Sequence, residues 1–356
     1  MSSEAPATSI KSVCILRLSA IGDVTHVLPV VHSLREQLPG ATISWIVGKT
    51  EARLLEGLPG VELIIFDKNA GLKGYVDLWR RLRKRRFEVL FHMQVAMRAN
   101  IAAALVHAGI RVGYDRARSK DLHGLFINRR IKSSQEQHVL DCLASFPTAL
   151  GLEPAEPRWD IPLSPDDYRF SDAYIDPERL NVVISPSASH ELRNWPAERY
   201  AALADHAVQH YGANIILTGG PASRDQAYCN AIQQQMKMPT TNICGQDTLK
   251  QLAALLERAD LLIAPDTGPA HIANAMGTDV LGLFASSNPY RSGPYDSLPW
   301  CVNRYPQALE RFTGQRVESA RWGAKAEFNG AMELISVADA TAMLDRWVAQ
   351  HYPERQ

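Results

Sequence analysis

Short apolar runs alternate with stretches of helical period along most of the chain. Runs at 13–18, 42–47, 61–66, 89–93 and 111–114 have strand length and read as strands buried on both faces. After the first, Val24, Val27, Leu28, Val31, Leu34 and Leu38 recur at helical spacing, and Pro39-Gly40 stops the pattern. Pro29 lies inside this pattern without a backbone donor, so the regular helix starts near Leu28 or is kinked there. Further helices are predicted at 52–58, 75–86, 101–108 and 137–150, and a polar, basic segment fills 115–132. Strands alternating with helices predict a parallel sheet covered on both faces.

Pro154, Pro157, Pro162 and Pro165 then punctuate an extended stretch, which places a domain boundary within 152–175. The alternation restarts beyond it. Strands are predicted at 181–185, 214–218, 242–244, 261–264 and 280–284, and helices at 197–211, 226–236, 249–259 and 337–351. The expected division is 1–165, 166–335 and a terminal helical segment, 336–356. Two Rossmann-like halves imply a cleft between the carboxyl ends of two parallel sheets, where such folds bind ligands.

Residues 260–277 are the most informative run. Leu261 to Ala264 are apolar, as in a buried parallel strand. Asp266-Thr267-Gly268-Pro269 then gives a turn and a helix start, Ile272, Ala273 and Met276 follow at helical spacing, and Gly277 ends the run. Free N–H groups and the positive end of a helix dipole at such a turn suit a phosphate, and His271 in the first turn can add a donor. The same run also reads as an ordinary strand–turn–helix of an α/β domain. Other polar residues fall at strand ends too: Ser19 and Asp23, Ser187 and Ser189, and Gly219-Gly220.

Composition changes this picture little. The 356 residues are 46% hydrophobic and 21% charged, ordinary for a globular protein. Residues 1–10 are small and polar and are expected to fray. No run reaches the roughly 18 apolar residues of a membrane span, and no signal-type segment opens the chain, so a cytoplasmic protein is expected. Cys14, Cys142, Cys229, Cys244 and Cys301 are scattered, which favours buried free thiols over a zinc site. Net charge is zero but unevenly spread: residues 1–160 hold 22 Lys and Arg against 16 Asp and Glu, and the remainder the reverse. A basic first half suits an anionic partner.

Several chemistries are disfavoured. There is no Gly-x-Gly pair, no P-loop and no Asp-x-Asp, so nothing points to a dinucleotide cofactor or to a metal on closely spaced aspartates. Charge on a leaving phosphate then falls to backbone N–H groups and cations, with Arg193 and His271 as candidates. The cationic run Arg80 to Arg86 could meet nucleic acid or an acidic membrane. Without a series of stacking aromatics it reads instead as a solvated helix face, with Val76, Trp79, Leu82 and Phe87 packing inward, and no nucleic-acid partner is expected.

Ser19-Ala-Ile-Gly22-Asp23 after the first strand, Arg193-Asn-Trp195-Pro196 before a helix, and Asp266-Thr-Gly-Pro-Ala-His271 together resemble the motifs of the ADP-heptose:lipopolysaccharide heptosyltransferases, glycosyltransferase family 9. The resemblance runs from about Val13 to Val348. Gly113-Tyr-Asp115 with Lys120, and Asn128-Arg-Arg130 followed by Gln137-His138, are most similar to heptosyltransferase I. It implies a GT-B fold: an acceptor-binding first domain, a nucleotide-sugar-binding second domain, and a last helix packing back on the first. It also implies inverting transfer of heptose from ADP-heptose to Kdo on lipid A, without a cofactor, by a protein at most peripheral to the inner membrane.

The resemblance carries over to particular residues. Asp23 matches the catalytic aspartate; on its own it would read as a helix cap. Asp266, Thr267 and Gly268 match the diphosphate-binding turn, with His271 beside it. Arg193 stands where the family usually has Lys, so a fork replaces a point charge. Ser189 matches a hydroxyl position near the phosphates, and Asp225 falls near the acidic residue that holds the ribose. For the anionic acceptor, Ser19 and Gly22 belong to the first motif, Arg98 and Lys120 match basic positions, and Lys68 and Lys73 lie where the family has an Arg cluster.

Overall fold

The computed structural model describes residues 10–134 and 137–355. The start expected to fray, residues 1–10, lies outside the described residues apart from Ile10. Strands β1 (Ser12–Leu16), β2 (Thr42–Gly48), β3 (Val61–Phe66), β4 (Phe87–His92), β5 (Ala108–Gly113) and β6 (Arg129–Arg130) form one parallel sheet in the order β3-β2-β1-β4-β5-β6. Central β1 is covered on both faces, and Val13 to Leu16 are fully buried, which is why its sequence is continuously apolar. Pro29 sits at the start of the helix Leu28–Gln37, where a missing donor costs nothing, so the helix begins there without a kink. A separate short helix, Ile21–Thr25, precedes it. The helix expected over 137–150 is instead the helix Val139–Ala144 followed by a 3-10 turn, Phe146–Leu150, which has Pro147 in its first turn.

The second sheet comprises β7 (Asn181–Ile184), β8 (Asn214–Leu217), β9 (Thr241–Asn242), β10 (Leu261–Pro265), β11 (Asp279–Phe284) and β12 (Val302–Asn303). It too is parallel, in the order β12-β11-β10-β7-β8-β9. Counted from its own first strand this is the order of the first sheet, so each is a Rossmann-like sheet. Each has a switch point where the strand order reverses: between β1 and β4, and between β7 and β10.

The chain divides between Pro162 and Leu163, inside the expected stretch 152–175 and just before the 165/166 division. The division falls there because Ser164 opens a helix, Pro165–Asp172, inside the stretch expected to be extended. Its hydroxyl accepts from the Asp167 N–H at 3.3 Å, and the Asp167 carboxylate accepts from the Ser164 N–H at 2.8 Å.

The terminal segment 336–356 is mostly one helix, which contributes to the core of the second unit. The helix Val337–His351 buries Leu344, Trp347 and Val348 in the core of the second unit. The Trp347 indole N–H donates to Asp279 at 2.8 Å, and Asp345 meets His206 and accepts from the Tyr211 hydroxyl, both at 2.7 Å. Its apolar face is thus used within its own unit. A correction concerns the basic helix, which spans Leu72–Leu82. Leu82 and Phe87 are buried as expected, but Val76 and Trp79 face solvent. All five cysteines are buried and none forms a disulfide.

Candidate active site

Both switch points carry the candidate residues. In the first unit, β1 ends at Leu16, and Arg17 turns into the loop ahead of the helix Ile21–Thr25. Asp23 lies in that helix's first turn and accepts from the Ala20 N–H at 3.0 Å. It therefore plays the capping part its sequence position suggested, and it also makes an ionic contact. Arg17 Nη2 is 2.5 Å from Asp23 Oδ2. The guanidinium is buried and also donates to the carbonyls of Ser19 (3.1 Å) and Met93 and to the Tyr114 hydroxyl (3.4 Å). Burial opposes the charge on Arg17, but the Asp23 carboxylate more than offsets it and holds the Arg17 pKa above its ordinary value. From the end of β4, Gln94 accepts from the Leu18 N–H at 2.8 Å and donates to the Ser19 hydroxyl at 3.4 Å. Arg17 and Gln94 thus fix the turn bearing Ser19, Gly22 and a third-exposed Asp23. A carboxylate held in that way can accept a proton from an approaching hydroxyl.

In the second unit, the loop after β7 is shaped by the Arg-Asn-Trp-Pro motif. The Asn194 side chain accepts from the Ala188 N–H at 2.7 Å and closes the loop. Trp195 is wholly buried, its indole N–H donating to the Ile335 carbonyl at 2.9 Å, and Pro196 caps the helix Ala197–Tyr211. Arg193 is thereby presented at the switch point. Its Nη1 is 3.5 Å from Asp266 Oδ2, and its Nε and Nη2 are 2.8 and 2.7 Å from Glu327 Oε1. Lys325 Nζ meets the same Asp266 oxygen at 3.2 Å. Burial alone would raise the Asp266 carboxyl; Lys325 and Arg193, with His271 and the Ser287 hydroxyl, reverse this and hold it below the usual carboxylate range. Burial lowers the Lys325 ammonium, although Asp266 opposes that.

Thr267 is the N-cap of the helix Gly268–Met276, with Pro269 in the first turn, yet its hydroxyl caps nothing. Among the described residues, the Thr267, Ser187 and Thr218 hydroxyls are buried without a hydrogen-bond partner. They belong to the loops after β10, β7 and β8, at the carboxyl end of the sheet. Unsatisfied buried hydroxyls around an uncapped helix N-terminus and two cations suit an oxygen-rich anion. Asp225 lies just beyond, against Gly220 and paired with Arg224 at 3.3 Å. A Cβ on Gly220 would fall 2.7 Å from the Asp225 carboxylate, so a larger residue there would have to displace that side chain. Ser189 is exposed in the neighbouring loop.

The four acceptor cations are exposed and lie on three segments. Lys68 is in a 3-10 turn after β3, Lys73 in the helix Leu72–Leu82, Arg98 in the helix Met97–Ala104, and Lys120 before the turn His123–Phe126. The Tyr75 hydroxyl donates to the Arg98 carbonyl at 3.4 Å and ties the segment of Lys68 and Lys73 to that of Arg98. Sequence reasoning missed Arg17, Gln94, Lys325 and Glu327. A charge at the end of a buried strand could have flagged Arg17. Lys325 and Glu327 lie in an irregular segment with no periodicity, pinned by the Ala326 N–H donating to the Ser286 carbonyl at 2.9 Å.

Two Rossmann-like sheets, one with a turn suited to an anion at its switch point and the other with a carboxylate at the equivalent place, match the class of GT-B glycosyltransferases. The chain belongs to glycosyltransferase family 9 (heptosyltransferase), whose profile matches residues 75–320. It is 41% identical to the lipopolysaccharide core heptosyltransferase OpsX of Haemophilus influenzae, over 92% of this chain and 94% of that one. A family 9 glycosyl transferase from Veillonella parvula superimposes with a TM-score of 0.75 at 21% identity, covering 97% of this chain and 100% of its own. The E. coli heptosyltransferase WaaC with ADP-2-deoxy-2-fluoro heptose gives 0.66 at 18% identity, covering 94% and 99%. These two share the fold.

Proposed function

We propose that this glycosyltransferase moves heptose from ADP-L-glycero-D-manno-heptose to Kdo of the lipopolysaccharide inner core, on lipid A at the cytoplasmic face of the inner membrane. The observation that carries the donor half is the uncapped Thr267 at the helix N-terminus, with Arg193 and Lys325 beside it and unpartnered hydroxyls around it. The diphosphate takes the Thr267 hydroxyl and the N–H groups of the first helical turn, starting at Gly268, with His271 adding a donor. Arg193 and Lys325, held meanwhile by Glu327 and Asp266, turn their charge to the phosphates. Asp225 takes the ribose hydroxyls, and Ser189 a phosphate oxygen.

The acceptor half rests on Asp23. The acceptor hydroxyl oxygen attacks the anomeric carbon, Asp23 takes its proton, and the bond to the β-phosphate oxygen breaks in the same displacement. One new glycosidic bond forms with inversion, and ADP leaves as the cations and helix dipole stabilise its growing charge. Arg17 positions the Asp23 carboxylate. Ser19 and Gly22 shape the turn, and Lys68, Lys73, Arg98 and Lys120 meet acceptor anions. A second reading, transfer of a later heptose or another sugar, is favoured by the spread of these cations over three segments, which defines no single pocket. Incubating the protein with ADP-heptose and a series of truncated Kdo-lipid A acceptors tests both. One heptose added to an acceptor ending in Kdo supports the first reading, and addition only to acceptors already bearing heptose supports the second.

A further inference from the structure

Ten large hydrophobic residues are exposed among the described residues, and eight of them lie between Ile65 and Leu125. The helix Leu72–Leu82 carries the densest group. Its inner face, Leu78 and Leu82 with Tyr75, packs on the sheet. Its outer face holds Leu72, Val76 and Trp79, which are 84%, 43% and 46% exposed. These positions are four and three apart, so they form one stripe along the helix. Arg83 continues the stripe, its guanidinium lying 5.6 Å from the Trp79 ring centre. Arg80 flanks it, in an exposed pair with Asp77. Arg81, Arg83, Lys84 and Arg86 have no carboxylate partner among the described residues.

The stripe is not isolated. Beyond the Tyr75–Arg98 bond, the Met97 N–H donates to Asp121 at 3.2 Å, and Asn100 donates to the Asp121 carbonyl at 2.6 Å. Those bonds hold the neighbouring turn, on which Leu122 and Leu125 are 65% and 77% exposed. Exposed apolar side chains interleaved with uncompensated cations match the interface of an anionic bilayer, where the apolar groups enter the acyl boundary and the cations meet lipid phosphates. A merely solvated basic helix would not expose Leu72 and Trp79. A nucleic-acid surface would pair its cations with several stacking rings, and this stripe has one.

We propose that the outer face of the helix Leu72–Leu82, with the Leu122–Leu125 turn, docks the enzyme on an anionic lipid surface. This deepens the transferase reading, in which the acceptor is lipid-borne, but its test does not depend on that reading. The full-length protein is sedimented with phosphatidylcholine vesicles lacking or containing phosphatidylglycerol, at low and high salt. Wild type is expected on the anionic vesicles, less so in high salt. Two variants, Leu72→Ser with Trp79→Ser and Arg80→Glu with Arg83→Glu, are expected to lose binding by roughly tenfold or more. Both should keep wild-type thermal unfolding and wild-type transfer to a water-soluble acceptor fragment. Equal binding to neutral and anionic vesicles, retained binding in the Leu72/Trp79 variant, or capture by single-stranded RNA in place of vesicles would overturn the proposal. Vesicle binding by a wild type that transfers no sugar would leave the docking surface standing and overturn the transferase reading alone.

Discussion

Lys325 is where the donor site can be tested with least ambiguity, because nothing in the sequence motifs points to it. Its ammonium lies 3.2 Å from Asp266 and shares that carboxylate with Arg193. If the diphosphate replaces Asp266 as its partner, Lys325→Met removes one charge-assisted contact from the complex. Such a contact is worth about 1.5–3 kcal/mol when well buried. The Lys325 side chain is 31% exposed, so solvent screening cuts this to roughly 1–2 kcal/mol. That corresponds to about five- to thirtyfold weaker binding. Calorimetry with ADP and with adenosine reads the effect. ADP affinity should fall by that factor and adenosine affinity should not move, because adenosine has no phosphate. Lys325→Arg should recover most of the loss. Unchanged ADP affinity in Lys325→Met, or equal losses for ADP and adenosine, would refute the assignment.

Two further outcomes follow from buried groups. In the first unit, His92 and His123 are both fully buried and share Asn100 Oδ1 at 2.8 and 3.2 Å. Burial pushes their pKa values down to about 3 and about 4. The unfolded chain therefore takes up protons near pH 6.5 that the folded chain refuses. Stability is full above that pH and declines as the pH falls toward 4, by roughly 2 kcal/mol per ring at pH 5. Urea midpoints measured from pH 7.5 to 5 should fall accordingly, and a flat profile would contradict it. In the second unit, Trp195→Phe removes the indole donor to Ile335 and opens space in the core, costing about 1–3 kcal/mol. Chemical denaturation should show that loss. ADP should also bind more weakly, because Arg193 stands on the Trp195 anchor.

Much of the fold was legible because long parallel strands and amphipathic helices leave strong periodic signals. The strands around Cys14, Ile46, Ile184 and Ile263 were readable from apolar runs alone. The edge strands Arg129–Arg130 and Val302–Asn303 were not, because two residues cannot display a period. Ser164 and Pro165 read as a break, although Ser-Pro followed by Asp167 is a good helix start. The basic helix was misread in one respect: an apolar residue at helical spacing reports a face, not which face is covered, and Val76 and Trp79 lie on the uncovered one. In the site, the turns bearing Asp23 and Asp266 to Gly268 were visible because local turn chemistry constrains them. Their partners Arg17, Lys325 and Glu327 come together only through the tertiary fold, and Lys325 and Asp266 are far apart in sequence.

The central claim is that Asp23 is the base in a transfer from ADP-heptose. The most direct measurement is Asp23→Ala assayed for ADP binding and for heptose transfer on the same preparation. Unchanged ADP affinity with transfer reduced by about two to four orders of magnitude is the expected result. Wild-type transfer rates in Asp23→Ala would contradict the account.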